Sequence, residues 1–115
     1  MTQPHQLDDP LYTLLRNEDV TGFNAQRPRD REVDFSEGDF RGLDLRRLDA
    51  AQVNFSGAYF RGADLRGLDL RQANLEGASI AHAQISGAYF PVDLSADEIL
   101  MSVNFGTRLR YRSRP

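Results

Sequence analysis

The chain has 115 residues, 27% of them charged, and a net charge of -3 at pH 7. This length has room for one domain, and the net charge is too small for a general nucleic-acid binder, so direct nucleic-acid binding is not expected. The chain contains no cysteine, and all 14 of its basic residues are arginine. These two facts exclude disulfides, thiolate metal sites and nucleophilic cysteine or lysine.

No apolar run in the sequence approaches the length that a membrane span needs. The polar stretch over residues 1–9 lacks the charged and then apolar pattern of a secretory signal, and His5 within it is expected to lie in a flexible tail. These features predict a cytoplasmic protein without a membrane span.

The first predicted element is a short helix that starts after Asp9. An aspartate can accept hydrogen bonds from the free N–H groups of a first helical turn, and Pro10 suits the first helical position. The apolar stripe of this helix would consist of Leu11, Leu14 and Leu15. Such a stripe is predicted to cover one end of a core.

A second short helix is predicted over residues 18–26, where Val20 and Phe23 would face the core and Pro28 stops the helix. Residues 26–32 are rich in charge and are expected to form a solvated connector. Residues 1–32 are therefore predicted to be an N-terminal helical cap and connector.

From residue 33 to residue 92 the sequence repeats every five residues. A large apolar residue returns at every fifth position, and Ala50 alone breaks the series. The large positions are Phe35, Phe40, Leu45, Phe55, Phe60, Leu65, Leu70, Leu75, Ile80, Ile85 and Phe90. Neither a helix nor an alternating strand produces a period of five, whereas a fixed repeat is typical of a stacked solenoid.

Two positions of each five-residue unit are predicted to point inward: the large residue and a smaller one two places before it. The residue between them would then point outward, as in a very short strand. The remaining two positions form a corner, where glycines such as Gly57 and Gly67 recur because tight turns often need a positive φ. The sequence thus predicts a mainly β solenoid over residues 33–92.

Pro91 interrupts the last unit, and Ser95 with Glu98 forms a capping box that starts a C-terminal helix. This helix is predicted to end near Gly106 and to carry Val103 on its apolar side, together with Ile99 and Leu100. Met101 and Phe105 offer further apolar area. A surface that caps the solenoid or contacts a second copy is therefore predicted at Ile99, Leu100, Met101 and Phe105.

The C-terminal tail alternates apolar residues with arginines from residue 107 onward, which is a strand pattern with one basic face, and residues 113–115 are expected to fray. This tail is predicted to fold back along outward acidic columns, such as those of Asp44 and Asp64. Contact with phosphates or an anionic membrane is the alternative. Residues 93–115 are thus predicted to form a capping helix and an arginine-rich tail.

The five-residue unit resembles the motif of the pentapeptide-repeat proteins: Ala, then Asp or Asn, then Leu or Phe, then two variable residues. The best matches are residues 63–67, Ala-Asp-Leu-Arg-Gly, and residues 73–77, Ala-Asn-Leu-Glu-Gly. The resemblance implies a right-handed quadrilateral β-helix with four units per coil, so the units of residues 33–92 would form three coils. Short α-helical caps would then cover both ends.

Residues twenty apart would stack in this fold and form four interior columns. The implied columns are Phe35, Phe55 and Leu75; Phe40, Phe60 and Ile80; Leu45, Leu65 and Ile85; and Ala50, Leu70 and Phe90.

The outward positions offer no recognisable catalytic constellation. They carry aspartates, which an arginine often follows two residues later, as in Asp39 with Arg41. Paired carboxylates act as acid and base where a pocket separates their pKa values, whereas these are predicted to lie on a convex, wet surface. His5 and His82 are too few and too far apart for a metal site. No catalytic residue, cofactor or metal site is predicted, and the chain is not expected to be an enzyme.

Tyr59 and Tyr89 occupy outward positions where the repeat usually has Asp or Asn. Exposed aromatic residues beside arginine are frequent hot spots of protein contacts. The predicted protein-contact residues are therefore Tyr59, Arg61, Arg41 and Tyr89. The alternative is that each tyrosine ring packs across a neighbouring column. One and a half coils separate the two tyrosines, so they are predicted to lie on opposite faces.

These features predict a protein-protein interaction scaffold with an unidentified protein partner. The resemblance implies a second candidate function, because some members of the family mimic the shape and charge of B-form DNA and bind DNA gyrase. Such mimicry needs a long rod dominated by carboxylates, whereas the arginines of this short chain interleave with its acids. The family also implies a homodimer through the C-terminal ends, which would lengthen the rod.

Overall fold

A computed structural model describes residues 4–112. The expected fraying of residues 113–115, and Arg114 within them, lies outside this range. The described elements are α1 (Pro10–Arg16), α2 (Val20–Gln26), β1 (Val33–Asp34), β2 (Val53–Asn54) and α3 (Ala96–Phe105). No helix in residues 4–112 combines the length and apolar character that crossing a membrane requires.

The predicted first helix is present as α1. The Asp9 carboxylate accepts a hydrogen bond from the Leu11 N–H at 2.7 Å, which caps the helix as expected. Leu15 and Tyr12 are buried, whereas Leu11 and Leu14 are partly buried. The inward face therefore includes an aromatic residue that the leucine spacing did not indicate.

The second helix, α2, begins at Val20, two residues later than predicted. Glu18 has a φ of 58°, which lies outside the helical region, so the helix starts after Asp19. The Asp19 carboxylate accepts a hydrogen bond from the Gly22 N–H at 2.9 Å. Val20 and Phe23 are buried, as the sequence predicted.

The prediction of a flexible tail at His5 is wrong, because His5 forms a parallel β-bridge with Gly38. The His5 N–H donates to the Glu37 carbonyl at 3.1 Å, and the Asp39 N–H donates to the His5 carbonyl at 3.0 Å. The first twenty residues of the repeat have a backbone edge that no earlier part of the repeat pairs with. Exposed N–H and C=O groups at such an edge favour pairing with another segment. Residues 4–9 supply that segment.

Part of the predicted solvated connector is also buried. The Arg27 side chain is almost fully enclosed, and its guanidinium donates to the Asp49 carbonyl at 3.0 Å and to the Pro28 carbonyl at 3.1 Å. These carbonyl oxygens satisfy the guanidinium where water cannot reach it. The connector is therefore fastened to the repeat, which its charge content did not predict.

The backbone of residues 33–92, here called the repeat region, returns to register every twenty residues. β1 pairs with β2 in parallel, Val33 opposite Val53. The same offset relates six isolated parallel bridges: Asp39 with Tyr59, Asp44 with Asp64, Asn54 with Asn74, Tyr59 with Ser79, Asp64 with Gln84, and Asp69 with Tyr89.

The strands are short because a turn interrupts each extended run. The Ala58 N–H donates to the Phe55 carbonyl at 3.0 Å, which closes a tight turn between two inward residues. Gly57 within this turn has a φ of 67°, a conformation that costs glycine little. Gln52 occupies the equivalent place with a φ of 59°, so the turn geometry persists where glycine is missing.

The large residues of the repeat region form the core. Nine of the eleven predicted positions are buried, and Ile85 and Phe90 are partly buried. These two lie in the last units, where no further turn of the repeat covers them. Among the buried residues, the rings of Phe40 and Phe60 stack with centroids 5.2 Å apart.

The predicted C-terminal helix is present as α3, capped by Ser95 and ended by Gly106, whose φ is 73°. The buried Ser102 hydroxyl accepts a hydrogen bond from the Ile80 N–H at 3.0 Å, which ties α3 to the last turn. Leu100 was predicted on a surface that caps the solenoid or contacts a second copy, and it does not serve the cap, because its side chain is 53% exposed. The inward side carries Ser102 instead.

Residues 107–112 of the tail contact the end of the repeat region, and none of them binds Asp44 or Asp64 of the predicted acidic columns. Residues 107–112 form no assigned strand. Leu109 is fully buried; its N–H donates to the Ala78 carbonyl and its carbonyl accepts from the Gly77 N–H, both at 2.8 Å. One residue paired in this way does not make a strand. Asp44 and Asp64 bind arginines of the repeat region instead.

Candidate functional site

Four outward aspartates each bind the arginine that lies two residues later. The pairs are Asp39 with Arg41, Asp44 with Arg46, Asp64 with Arg66, and Asp69 with Arg71. In each pair Nε donates to Oδ1 and Nη2 donates to Oδ2, at distances of 2.7 to 3.0 Å. This two-pronged geometry, here called the arginine fork, is the strong form of the arginine–carboxylate contact.

The arginine forks keep the aspartates ionised. The hydrogen bonds from Arg46 lower the pKa of Asp44 to about 2, and those from Arg71 lower the pKa of Asp69 to about 2. A general acid or base works best with a pKa near the operating pH. These carboxylates are therefore suited to fixed ion pairing and poorly suited to proton transfer.

The unit around Tyr59 departs from this pattern. Tyr59 stands where the fork needs an aspartate, and Arg61 follows two residues later. Arg61 is exposed, and within residues 4–112 its side chain forms no ion pair or hydrogen bond. A single replacement in the repeat thus leaves an arginine without its local carboxylate.

Arg108 of the C-terminal tail covers Tyr59. The Arg108 guanidinium carbon lies 4.9 Å from the centre of the tyrosine ring, and Nη2 donates to the tyrosine hydroxyl at 2.6 Å. Nη1 donates to the Gly77 carbonyl at 2.7 Å. The half-buried ring is therefore held between the repeat region and the tail, and it does not project freely into solvent.

The structure brings three of the predicted contact residues together. Tyr59, Arg61 and Arg41 line one open hollow of about 390 Å³, here called the arginine hollow. Arg108 adds a third cation, and Phe105, which is 74% exposed, adds an apolar wall. The sequence indicated the repeat residues through the missing aspartate, but it did not place Arg108 or Phe105 beside them.

Tyr89 lies elsewhere on the repeat region. Its backbone pairs with Asp69, whereas Tyr59 pairs with Asp39 and Ser79, so the two tyrosines belong to different columns. Tyr89 is 58% exposed, and the guanidinium carbon of Arg71 lies 4.8 Å from its ring centre. Tyr89 is not among the residues that line the arginine hollow.

The predicted surface on α3 divides into two parts. Ile99 is partly buried against the core and serves the cap. Leu100 and Met101 follow each other on α3 and are 53% and 45% exposed, and these two side chains are here called the apolar patch. Phe105 at the helix end faces the arginine hollow.

The histidines are placed apart. His5 lies in the N-terminal bridge and His82 in a turn with a φ of 54°. Within the part of the chain that the structure describes, no group of three or more His, Cys, Asp and Glu side chains is arranged to hold a metal ion.

Comparison with known proteins connects this repeat to a family. A family model described as pentapeptide repeats, in eight copies, matches residues 31–67 and 54–90. A search of curated proteins and a search of solved structures each gave no match. The two matched segments together cover residues 31–90, which is more than half of the 115 residues. The chain therefore belongs to the pentapeptide-repeat family.

Proposed function

We propose that this chain is a non-enzymatic protein-interaction scaffold in which residues 33–92 form three coils of a right-handed quadrilateral β-helix. The twenty-residue register of the parallel bridges supports four units per coil. Residues 4–32 and 93–112 would then close its two ends. Pentapeptide-repeat proteins are generally non-enzymatic, which agrees with this function.

The arginine hollow is the observation that carries the proposal. Interface hot spots are enriched in Tyr and Arg and lie next to apolar groups that exclude water. Tyr59, Arg61 and Phe105 combine these properties on one surface. Arg108 holds the tyrosine ring in place before any partner binds, and preorganised contacts lose less entropy on association.

The charge pattern favours this function over DNA mimicry of the kind that binds DNA gyrase. A DNA mimic presents carboxylates in place of phosphates, but four outward aspartates here are already paired with arginines. Asp64 is bound twice, by Arg66 at 2.7 Å and by Arg46 at 3.3 Å. The carboxylates of this surface are therefore largely neutralised.

We expect Tyr59→Ala and Arg61→Ala each to weaken binding of a protein partner by about 30-fold, because hot-spot residues contribute about 2 kcal/mol or more. A tagged chain would capture the partner from the native cytoplasm, and the affinities of the variants would be measured with that purified partner. Arg71→Ala is the matched control, because Arg71 lies outside the hollow.

Equal loss of binding in Arg71→Ala would contradict the assignment of the hollow. Capture of gyrase subunits, followed by inhibition or protection in a purified supercoiling assay, would establish DNA mimicry and overturn the proposed scaffold function.

We further propose that the chain forms a homodimer through the apolar patch of Leu100 and Met101 on α3. Adjacent exposed apolar side chains favour association between copies, because contact removes both from water. Leu100→Glu combined with Met101→Glu is expected to yield monomers in sedimentation velocity at concentrations where the unaltered chain is dimeric. A monomeric unaltered chain at high micromolar concentration would refute the dimer.

A further inference from the structure

The arginine hollow has the form of an incomplete arginine fork. In the four complete forks, the carboxylate of the aspartate two residues earlier takes two hydrogen bonds from the arginine. Arg61 stands at the same place in its unit, but Tyr59 supplies no carboxylate. The Nε and Nη2 donors of Arg61 therefore remain available within the described part of the chain.

The residues around Arg61 also favour binding of an anion. Arg41 and Arg108 line the same hollow, and none of the described residues that line it carries a carboxylate. Arg41 is bound to the buried Asp39, which offsets one of the three charges. The lining still carries more positive than negative charge, although the chain as a whole has a net charge of -3.

We propose that the arginine hollow binds an acidic peptide segment of a partner protein, whose Asp or Glu carboxylate completes the fork on Arg61. This inference rests on the scaffold function and names the chemistry that the scaffold recognises. A planar carboxylate accepts two parallel hydrogen bonds from one guanidinium, which gives the contact direction as well as strength. Tyr59 and Arg108 form the floor on which the acidic side chain would lie.

An acidic peptide fits the hollow better than a nucleic acid. Phe105 and Ala81 form an apolar wall beside the arginines, which suits an apolar side chain next to the acidic one. A nucleic acid extends far beyond one hollow and needs many free cations along its path, whereas the arginines of the four complete forks are already held by aspartates.

The test uses a fluorescein-labelled peptide rich in glutamate and leucine, with binding to the full chain measured by fluorescence anisotropy at low salt. Arg61→Gln is expected to weaken binding by about tenfold or more, because it removes hydrogen bonds between charged groups. The matched control Arg71→Gln, which alters a complete fork outside the hollow, is expected to change the affinity by less than about twofold.

Tyr59→Asp is the sharper variant, because it restores the Asp-Phe-Arg order found at residues 39–41. The new carboxylate is expected to occupy Arg61 within the chain and to abolish peptide binding while the fold is kept, as checked by circular dichroism and thermal unfolding. Tyr89→Asp makes the same change of residue and charge in another column, and it should retain peptide binding.

The proposal is overturned if the peptide does not bind, or if Tyr59→Asp and Tyr89→Asp weaken peptide binding equally. The proposal is also overturned if a single-stranded DNA oligonucleotide binds more tightly than the peptide and Arg61→Gln abolishes that binding. The hollow would then be a phosphate-binding site. These outcomes are distinct from failure of the scaffold function. If a purified partner needs Tyr59 for binding but still binds the Arg61→Gln variant, the scaffold function stands. The proposal that a partner carboxylate binds Arg61 is then rejected.

Discussion

Replacing Phe55 by alanine is expected to lower the free energy of unfolding by about 3 to 5 kcal/mol. The Phe55 side chain is fully buried in the middle of the repeat region. Its ring centre lies 5.1 Å from that of Phe60, 5.3 Å from that of Phe40 and 6.1 Å from that of Phe35. The substitution removes apolar area and three aromatic contacts, and its neighbours are held by backbone pairing and cannot close the cavity fully.

Urea denaturation followed by circular dichroism measures this loss. Phe105→Ala is the matched control, because the Phe105 side chain is 74% exposed and its removal should change the unfolding free energy by no more than about 0.5 kcal/mol. A loss below about 1.5 kcal/mol for Phe55→Ala would show that the core repacks around the cavity, and it would contradict a rigid aromatic column.

The period of the sequence predicts the interior of the repeat region well, because each buried position recurs under the same constraint. A residue such as Phe40 is buried by its place in the unit, and Phe60 stacks on it because twenty residues return the backbone to register. The helix ends were also predictable, since Asp9 and Ser95 cap their helices through local hydrogen bonds. Periodic and local features can be deduced from the sequence for this reason.

The docking of the end segments could not be predicted in this way. Tyr12 closes the first turn of the repeat, where its hydroxyl donates to the Asp39 carbonyl at 2.7 Å and burial raises its pKa. Its partner lies 27 residues away in the chain and belongs to no repeating pattern. Arg27 was likewise predicted to be solvated and His5 to lie in a flexible tail, because charge and polarity indicate exposure unless a specific buried acceptor or a free backbone edge is known.

The candidate site also combines residues that the repeat pattern predicts with a residue that it does not predict. Tyr59 and Arg61 could be identified because they break a repeating pattern of aspartate and arginine. Arg108 could not be placed beside them, because its position depends on where Leu109 inserts at the end of the repeat region. The alternating tail predicted a strand, but a single buried leucine anchors it.

Leu109→Ala is expected to lower the free energy of unfolding by about 2 to 5 kcal/mol, the range for truncating a buried leucine. Leu109 is fully buried and extends the backbone pairing of the repeat region through Gly77 and Ala78. In repeat proteins each unit contacts only the neighbouring units. An end unit that loses the segment covering it is therefore expected to open before the other units. The loss should therefore be concentrated at the C-terminal end.

Urea denaturation gives the total loss, and hydrogen exchange locates it. The Gly77 amide, which donates to the Leu109 carbonyl at 2.8 Å, should lose more protection than the Phe35 amide at the other end, which donates to Asn54 at 2.8 Å. Val92→Ala, which truncates a side chain that is 75% exposed near the same end, is the control and should leave both amides protected. Equal loss at Gly77 and Phe35 would contradict local opening, because it would mean that the tail stabilises the whole chain as one cooperative unit.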